Sequence, residues 1–306
     1  MPDRSHPFVI DRLVMGIHTR LAADDAALSA ALLAGLSAWP EADCDAGTPG
    51  LCLHFARTDA RSEGNPGVSV EGDSLRLAAA GAVGDANARR GEGWCSVPPE
   101  LVSQPDRLAT EVLDTLLLFL LTRAGRTPIH AAGVLIGETV AILAGPSGSG
   151  KSTLAHAALR AGLTVLSDDT VYLQRHPELR VWGYPRPIHL LPATAELADA
   201  RGAARLRGGR WKVAVPSSPS ATPPLSAGRA AVFLLTRGDA VALRAVSMDE
   251  AVGELIRALE PGFDHFRDHL PAAARAAAAG GAWRLTLSGD AGEGVAALTA
   301  VLNAAT

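Results

Sequence analysis

The sequence predicts an α/β fold. A P-loop core with a mixed sheet and flanking helices is expected over residues 126–306, preceded by a small α+β accessory domain over residues 1–125. Three observations carry this expectation. Residues 140–144, all apolar, run straight into Gly145, Pro146, Ser147, Gly148, Ser149, Gly150, Lys151 and Ser152, the full G-x-x-x-x-G-K-[ST] pattern, and a helical stretch follows from Thr153 to a stop at Gly162. A second buried strand at residues 163–166 then ends in Ser167, Asp168 and Asp169. The first third of the chain instead shows short apolar runs separated by Gly, Asp and Asn clusters.

In chain order, residues 8–21 alternate apolar and polar positions and read as one or two strands, and Asp24 or Asp25 can cap a helix over residues 26–39. Strand-like runs follow at residues 51–55, 67–70 and 75–77. Leu108, Val112, Leu116, Phe119 and Leu120 form an apolar stripe at helical spacing, so residues 106–123 are expected to lie as a helix against a core. Residues 129–136 and the P-loop strand flank Gly137 and Glu138, which predicts a hairpin and puts His130 one strand away from the loop. Further strands are expected at residues 170–173, 181–184, 230–235 and 283–287. Ser247 with Glu250 reads as a capping box for a helix to residue 259, and a closing helix starts near Gly292. The arginine-rich stretch from Arg201 to Lys212 and the proline-rich run from Pro216 to Pro224 read as a mobile, solvated loop.

The chain has 306 residues, is 48% hydrophobic and carries a net charge of −4, so it can bury a sizeable core and has no global field to attract nucleic acid or an anionic membrane. Three cysteines, Cys44, Cys52 and Cys95, show neither a disulfide framework nor zinc spacing. The start of the chain lacks the pattern of a secretion signal, and no apolar run approaches the roughly 20 residues of a spanning helix. A cytoplasmic location with no membrane partner is therefore expected.

The chemistry of the loop is specific. Its glycines let backbone N–H groups curl around phosphates at a helix N-terminus, where the helix dipole favours negative charge. Gly145 through Thr153 are thus the expected nucleotide-binding residues. Lys151 can reach the β- and γ-phosphates of ATP, and the Ser152 hydroxyl can ligate the accompanying Mg²⁺. Only 17 positions separate Lys151 from Asp168, a compact spacing that brings carboxylates to the same crevice. No N-K-x-D pattern for guanine occurs.

His130 with the following Ala131, Ala132, Gly133 and Val134, the loop from Gly145 to Thr153, and Leu166 to Asp169, in that order, resemble the HPr serine kinase/phosphorylase superfamily. They are more similar still to its HPr-kinase-related branch, which includes kinases found with ribosomally made, modified peptides such as lasso peptides. The match covers residues 129–169 well and the rest of the chain to 306 by order of elements. The resemblance implies a P-loop kinase core and ATP-dependent transfer of the γ-phosphoryl group to a serine of a peptide or small protein. It implies that Lys151 and the loop amides hold the phosphates, that Ser152 and Asp169 hold Mg²⁺, and that Asp168 takes the hydroxyl proton with His130 beside the base. Thr153 stands where the HPr enzymes usually carry an acidic residue, and their carboxyl-terminal segment for phosphorolysis is absent. Phosphorylase activity, HPr as substrate and hexameric assembly are therefore not implied.

Other readings share these residues. The same loop and acids would serve a small-molecule kinase, or an ATPase or nucleotide switch with no acceptor. Arg186, Arg210 and Lys212 could bind phosphate or an acidic peptide, although a solvated loop is the simpler account. His156 reads as an exposed position of the P-loop helix. His265 and His269 stand at i and i+4 without a third ligand to complete a zinc pattern. The acceptor and the oligomeric state are not written in the sequence.

Overall fold

The computed structural model describes residues 7–43, 47–59, 66–192, 196, 203–207, 210–215, 226–257 and 269–304, with backbone alone at 203, 205–207, 210 and 212. The chain divides into two compact units, Met1–Ala124 and Gly125–Thr306. Both mix strands and helices.

The first unit is built on strands β1 (Phe8–Val14), β2 (Ile17–Ala23), β3 (Leu51–Arg57), β4 (Gly67–Glu71), β5 (Ser74–Ala79), β6 (Ala82–Asn87) and β7 (Glu92–Val97). They form one sheet in the order β1-β2-β3-β7-β6-β5-β4, parallel at β2-β3-β7 and antiparallel elsewhere. Helix α1 (Ala26–Leu36) is capped by Asp25, whose carboxylate accepts the Leu28 N–H at 2.9 Å. Short helices α2 (Pro99–Val102) and α3 (Pro105–Arg107) lead through a π-helical turn, Leu108–Leu113, into α4 (Asp114–Arg123). The expected stripe is buried throughout, from Leu108 to Leu120. Strands β6 and β7 went unread because Gly84, Asp85, Asn87, Glu92 and Gly93 dilute their apolar alternation; cross-strand pairing, not propensity, holds them.

In the second unit β8 (Thr127–Ile129), β9 (Ala132–Ile136) and β10 (Thr139–Ala144) are followed by helix α5 (Lys151–Arg160) and strands β11 (Thr164–Ser167), β12 (Val171–Gln174), β13 (Arg180–Trp182) and β14 (Ile188–Leu190). Next come β15 (Ala203–Arg207), β16 (Arg210–Val215), β17 (Ser226–Ala227), β18 (Arg229–Arg237) and β19 (Ala242–Ala245). Helices α6 (Met248–Arg257) and α7 (Leu270–Ala278), strand β20 (Ala282–Leu287) and helix α8 (Ala291–Ala304) close the chain. The central sheet has the order β11-β9-β10-β18-β20-β19, with β10, β18 and β20 parallel and the pairs outside them antiparallel. Two smaller sheets, β17-β13-β12-β8 and β14-β16-β15, accompany it.

Alternation along the parallel strands sends side chains to two cores. Val140, Ile142, Ala144, Val232 and Leu234 pack with α6, α7 and the four-stranded sheet, whereas Ala141, Leu143, Ala231, Phe233 and Leu235 pack with α5, α8 and β14. Because both faces are covered, the strands are almost uninterruptedly apolar, and that gave the sequence its signal.

Three expectations are corrected. The run at residues 129–136 is two strands, broken at His130 and Ala131. Part of the stretch expected as a solvated loop, residues 203–207 and 210–215, is a β-hairpin whose second strand also pairs with β14. Ser247 does cap α6, accepting the Glu250 N–H at 3.1 Å, but the Glu250 carboxylate turns to Arg284 at 2.7 Å and does not close a capping box. Arg201, the Pro216 to Pro224 run and His265 lie outside the described residues, as do the side chains of Arg205, Arg207, Arg210 and Lys212.

Phe233 is fully buried and stacks on Trp283 with ring centroids 5.1 Å apart. Phe233→Ala should lower the unfolding free energy by about 3–5 kcal/mol, read as a shift of the urea midpoint.

Candidate functional site

The glycine-rich segment joins β10 to α5. Gly145, Gly148 and Gly150 have φ of 155°, 83° and 107°, and at each a side chain would be strained. At Gly145 and Gly150 space forbids one too, whereas Gly148 is open. A Cβ on Gly145 would stand 2.8 Å from Ser149 Oγ and 2.9 Å from the Leu235 carbonyl oxygen, and one on Gly150 would stand 2.9 Å from Leu287 Cδ1. Lys151, 8% exposed, donates from Nζ to the carbonyls of Gly145 at 2.7 Å and Pro146 at 3.4 Å. Ser149 is buried with its hydroxyl unpaired. Ser152 and Thr153, half-buried, follow in the first turn of α5. A narrow loop at a helix N-terminus, with an ammonium folded over its rim, fits a polyphosphate anion.

The acids reach the same edge of the sheet through strand register. Ser167 pairs with Gly133, and Gly133 pairs with Ile142, so the end of β11 lies level with Ile142, two residues before the end of β10 and two strand spacings or about 10 Å across the sheet. Strand β11 is antiparallel to β9, not part of a continuous parallel set, yet it runs in the direction of β10 because β9 reverses between them.

Two segments leave the central sheet together here. Gly133 pairs with Ser167 in the six-stranded sheet, and Ile129 pairs with Val171 in the four-stranded one. The crossing takes His130 and Ala131 on one side and Asp168, Asp169 and Thr170 on the other. His130 Nδ1 stands 3.6 Å from Asp169 Oδ1, just outside direct hydrogen-bond range, and Asp169 is open to solvent. The Ser167 hydroxyl accepts the N–H groups of Asp169 at 3.3 Å and Thr170 at 3.2 Å, which shapes the turn.

Asp168 is buried, and its Oδ2 accepts the backbone N–H of His189 in β14 at 2.9 Å. The connection to β14 is anchored at its start as well, since Gly183 lies so close to Leu166 that a Cβ would fall 2.2 Å from its carbonyl oxygen. Arg186 sits between these anchors, half-buried, with its guanidinium 4.7 Å from the centre of the Tyr184 ring.

Of the residues singled out in the sequence, His130 and Asp169 come together, Asp168 lies beside them under β14, and the loop from Gly145 to Thr153 stands at the same sheet edge. Arg210 and Lys212 lie on β16, and their side chains are outside the description. His156 departs from expectation. It is 5% exposed, because α5 is packed against β9, β11, β14 and α8. Two participants carried no motif: the His189 amide, which only tertiary structure brings to Asp168, and Arg237 at the end of β18, whose Nε donates to the Gly148 carbonyl at 3.1 Å. Position at the carboxyl end of the parallel strand beside the loop strand was the available signal for Arg237.

Among the described residues no group of three His, Cys, Asp or Glu gathers to hold a metal, and no helix is long and apolar enough to cross a membrane. Cys52 and Cys95 are free thiols, and burial pushes Cys95 up to about 12.

Fold and site together define a mixed α/β protein whose central parallel strand feeds a glycine-rich loop at a helix N-terminus. No protein-family model matches the chain, and neither does any curated protein. Among solved structures, it is similar to the Hpr(Ser) kinase/phosphatase from Coxiella burnetii, with 12% identity over 58% of this chain and 95% of that one and a TM-score of 0.31.

Burial, and secondarily the Arg160 charge, holds the His156 pKa below its ordinary 6.5. The unfolded chain then binds a proton that the folded one refuses, so this contribution to stability is present above pH 6.5 and is lost as pH falls below it. His156→Leu should flatten the decline in melting temperature between about pH 6.5 and 5, measured by thermal unfolding across that range.

Proposed function

We propose that the protein is an ATP-dependent kinase that transfers a γ-phosphoryl group to a serine hydroxyl of a peptide or small protein. The observation that carries this reading is the shared crossing. It sets a histidine-flanked, solvent-facing carboxylate and a buried carboxylate at the sheet edge where the phosphate loop opens. A phosphate loop alone serves any nucleotide binder; an accessible carboxylate beside it suits a proton acceptor.

Lys151 and the amides of residues 148–153 hold the triphosphate. The Ser152 hydroxyl and the Asp168 carboxylate are the oxygen donors that would hold a Mg²⁺, which would supply charge neutralisation to the bound nucleotide. Asp169 takes the proton as the serine oxygen bonds to the γ-phosphorus and the bond to the β-phosphate oxygen breaks, releasing ADP. This division of roles reverses the one that the sequence resemblance implied. Its ground is that His130 stands beside Asp169, and that Asp168 is buried with one oxygen engaged by His189. His130, 3.6 Å from that carboxylate, orients it. Arg186, with Arg210 and Lys212 on β16, is the proposed contact for the acceptor peptide. A location in the cytoplasm, where ATP is abundant, belongs to the same proposal.

Incubation with γ-labelled ATP, Mg²⁺ and serine-containing peptides tests the proposal. Label on a serine supports it; label released only as free phosphate, or only on small metabolites, overturns it. Asp169→Asn should retain ATP affinity and lower kcat by about 10²–10⁴-fold, whereas Lys151→Ala should weaken ATP binding itself. Full transfer by the Asp169→Asn protein would exclude that residue as proton acceptor.

A further inference from the structure

The geometry points to Arg237 as a positioning residue of the triphosphate site, acting through the phosphate loop. This inference rests on the phosphoryl-transfer reading and adds a residue to it.

A loop that turns its amides inward to meet phosphate turns carbonyls outward, where a donor from the protein can fix the loop's orientation as water cannot. Gly148, at the crest of the loop, has φ +83° and lies on the surface. Its carbonyl accepts the Nε–H of Arg237 at 3.1 Å, across 89 residues of sequence. The guanidinium then lies along the loop toward Gly150, where a Cβ would stand 3.4 Å from Arg237 Nη2. Leu287, from the end of β20, closes the same wall, 2.9 Å from that Cβ position.

The base of this arm is rigid. Strand β18 pairs in parallel with β10 on one side and β20 on the other. Just beyond Arg237, the Gly238 N–H donates to the Leu287 carbonyl at 3.0 Å, and Gly238 has no room for a side chain because a Cβ would meet Thr286 Cγ2 at 2.6 Å. The hydroxyls of Thr236 and Thr286, 3.3 Å apart, join the two strands one residue earlier. An arginine carried on such a base orients what it touches, and it touches the loop. By engaging the Gly148 carbonyl, Arg237 holds the amides that follow it in place, and it adds a second cation to the loop that Lys151 engages through Gly145 and Pro146.

The test is binding of Mg-ATP and of inorganic tripolyphosphate to the unaltered protein, Arg237→Ala and Arg237→Met, by calorimetry, with melting temperatures recorded without ligand. Met keeps most of the apolar stem and removes the donor. We expect both variants to bind both ligands about tenfold more weakly, with ligand-free melting temperatures unchanged. Equal affinity in the variants overturns the inference while leaving the kinase reading intact. So does a loss for ATP but not for tripolyphosphate, which would move the role to the nucleoside, or a loss matched by a fall in ligand-free stability in both variants. Failure of the unaltered protein to bind either ligand overturns the inference and the kinase reading together.

Discussion

The structure depends on the paired crossing in which His130 and Ala131, and Asp168 to Thr170, pass side by side from one sheet to another. Strand pairing is fixed on both sides of it, by Gly133 with Ser167 and by Ile129 with Val171. Neither segment can slip by one residue without turning the buried faces of its strands outward. Polar groups in a crossing lack ladder partners, so they must be satisfied locally, and the Ser167 hydroxyl does this for two successive amides. A histidine and two aspartates can occupy such a place at small cost to the fold, because no apolar core claims those positions. Chemistry and packing are thereby separated by only two or three residues along each chain.

Burial then differentiates the two acids. Asp169 faces solvent beside an imidazole, whereas Asp168 turns under β14 and takes a backbone N–H from it. A buried carboxylate requires such donors, since desolvation penalises its charge and a hydrogen bond to the ionised form offsets that penalty. Strand β14 is itself held by the β15 and β16 hairpin, so the arginine-rich segment bears on the site through backbone pairing. The close approach of Gly183 to Leu166 fixes the other end of that connection.

What could be read from the sequence was what is local. The β10 strand, the loop and α5 are contiguous, and their signals are glycine spacing and apolar run length. The hairpin at Gly137, where φ is 59°, and the Asp25 cap are local in the same sense. The break at His130 and Ala131 was invisible because one histidine in a stretch of otherwise apolar residues and glycine does not mark a strand end, and the division is imposed by β12, more than forty residues downstream of Ile129. His156 misled because a lone polar residue on a helix gives no sign that both flanks are covered. Arg237 and the His189 amide belong to the site only through tertiary structure, and neither residue type nor spacing marks them.

The loop is held before any anion meets it. Lys151 is nearly buried, and its ammonium is satisfied by the Gly145 and Pro146 carbonyls, so the rim is drawn over the loop by charge-assisted bonds. Arg237 engages the opposite side through Gly148. The ordering cost that a flexible glycine loop would impose on binding is met largely by folding. The three glycines adopt positive φ without the strain a side chain would bring, and β10, β18 and β20, with the buried core beneath them, hold the loop's surroundings fixed.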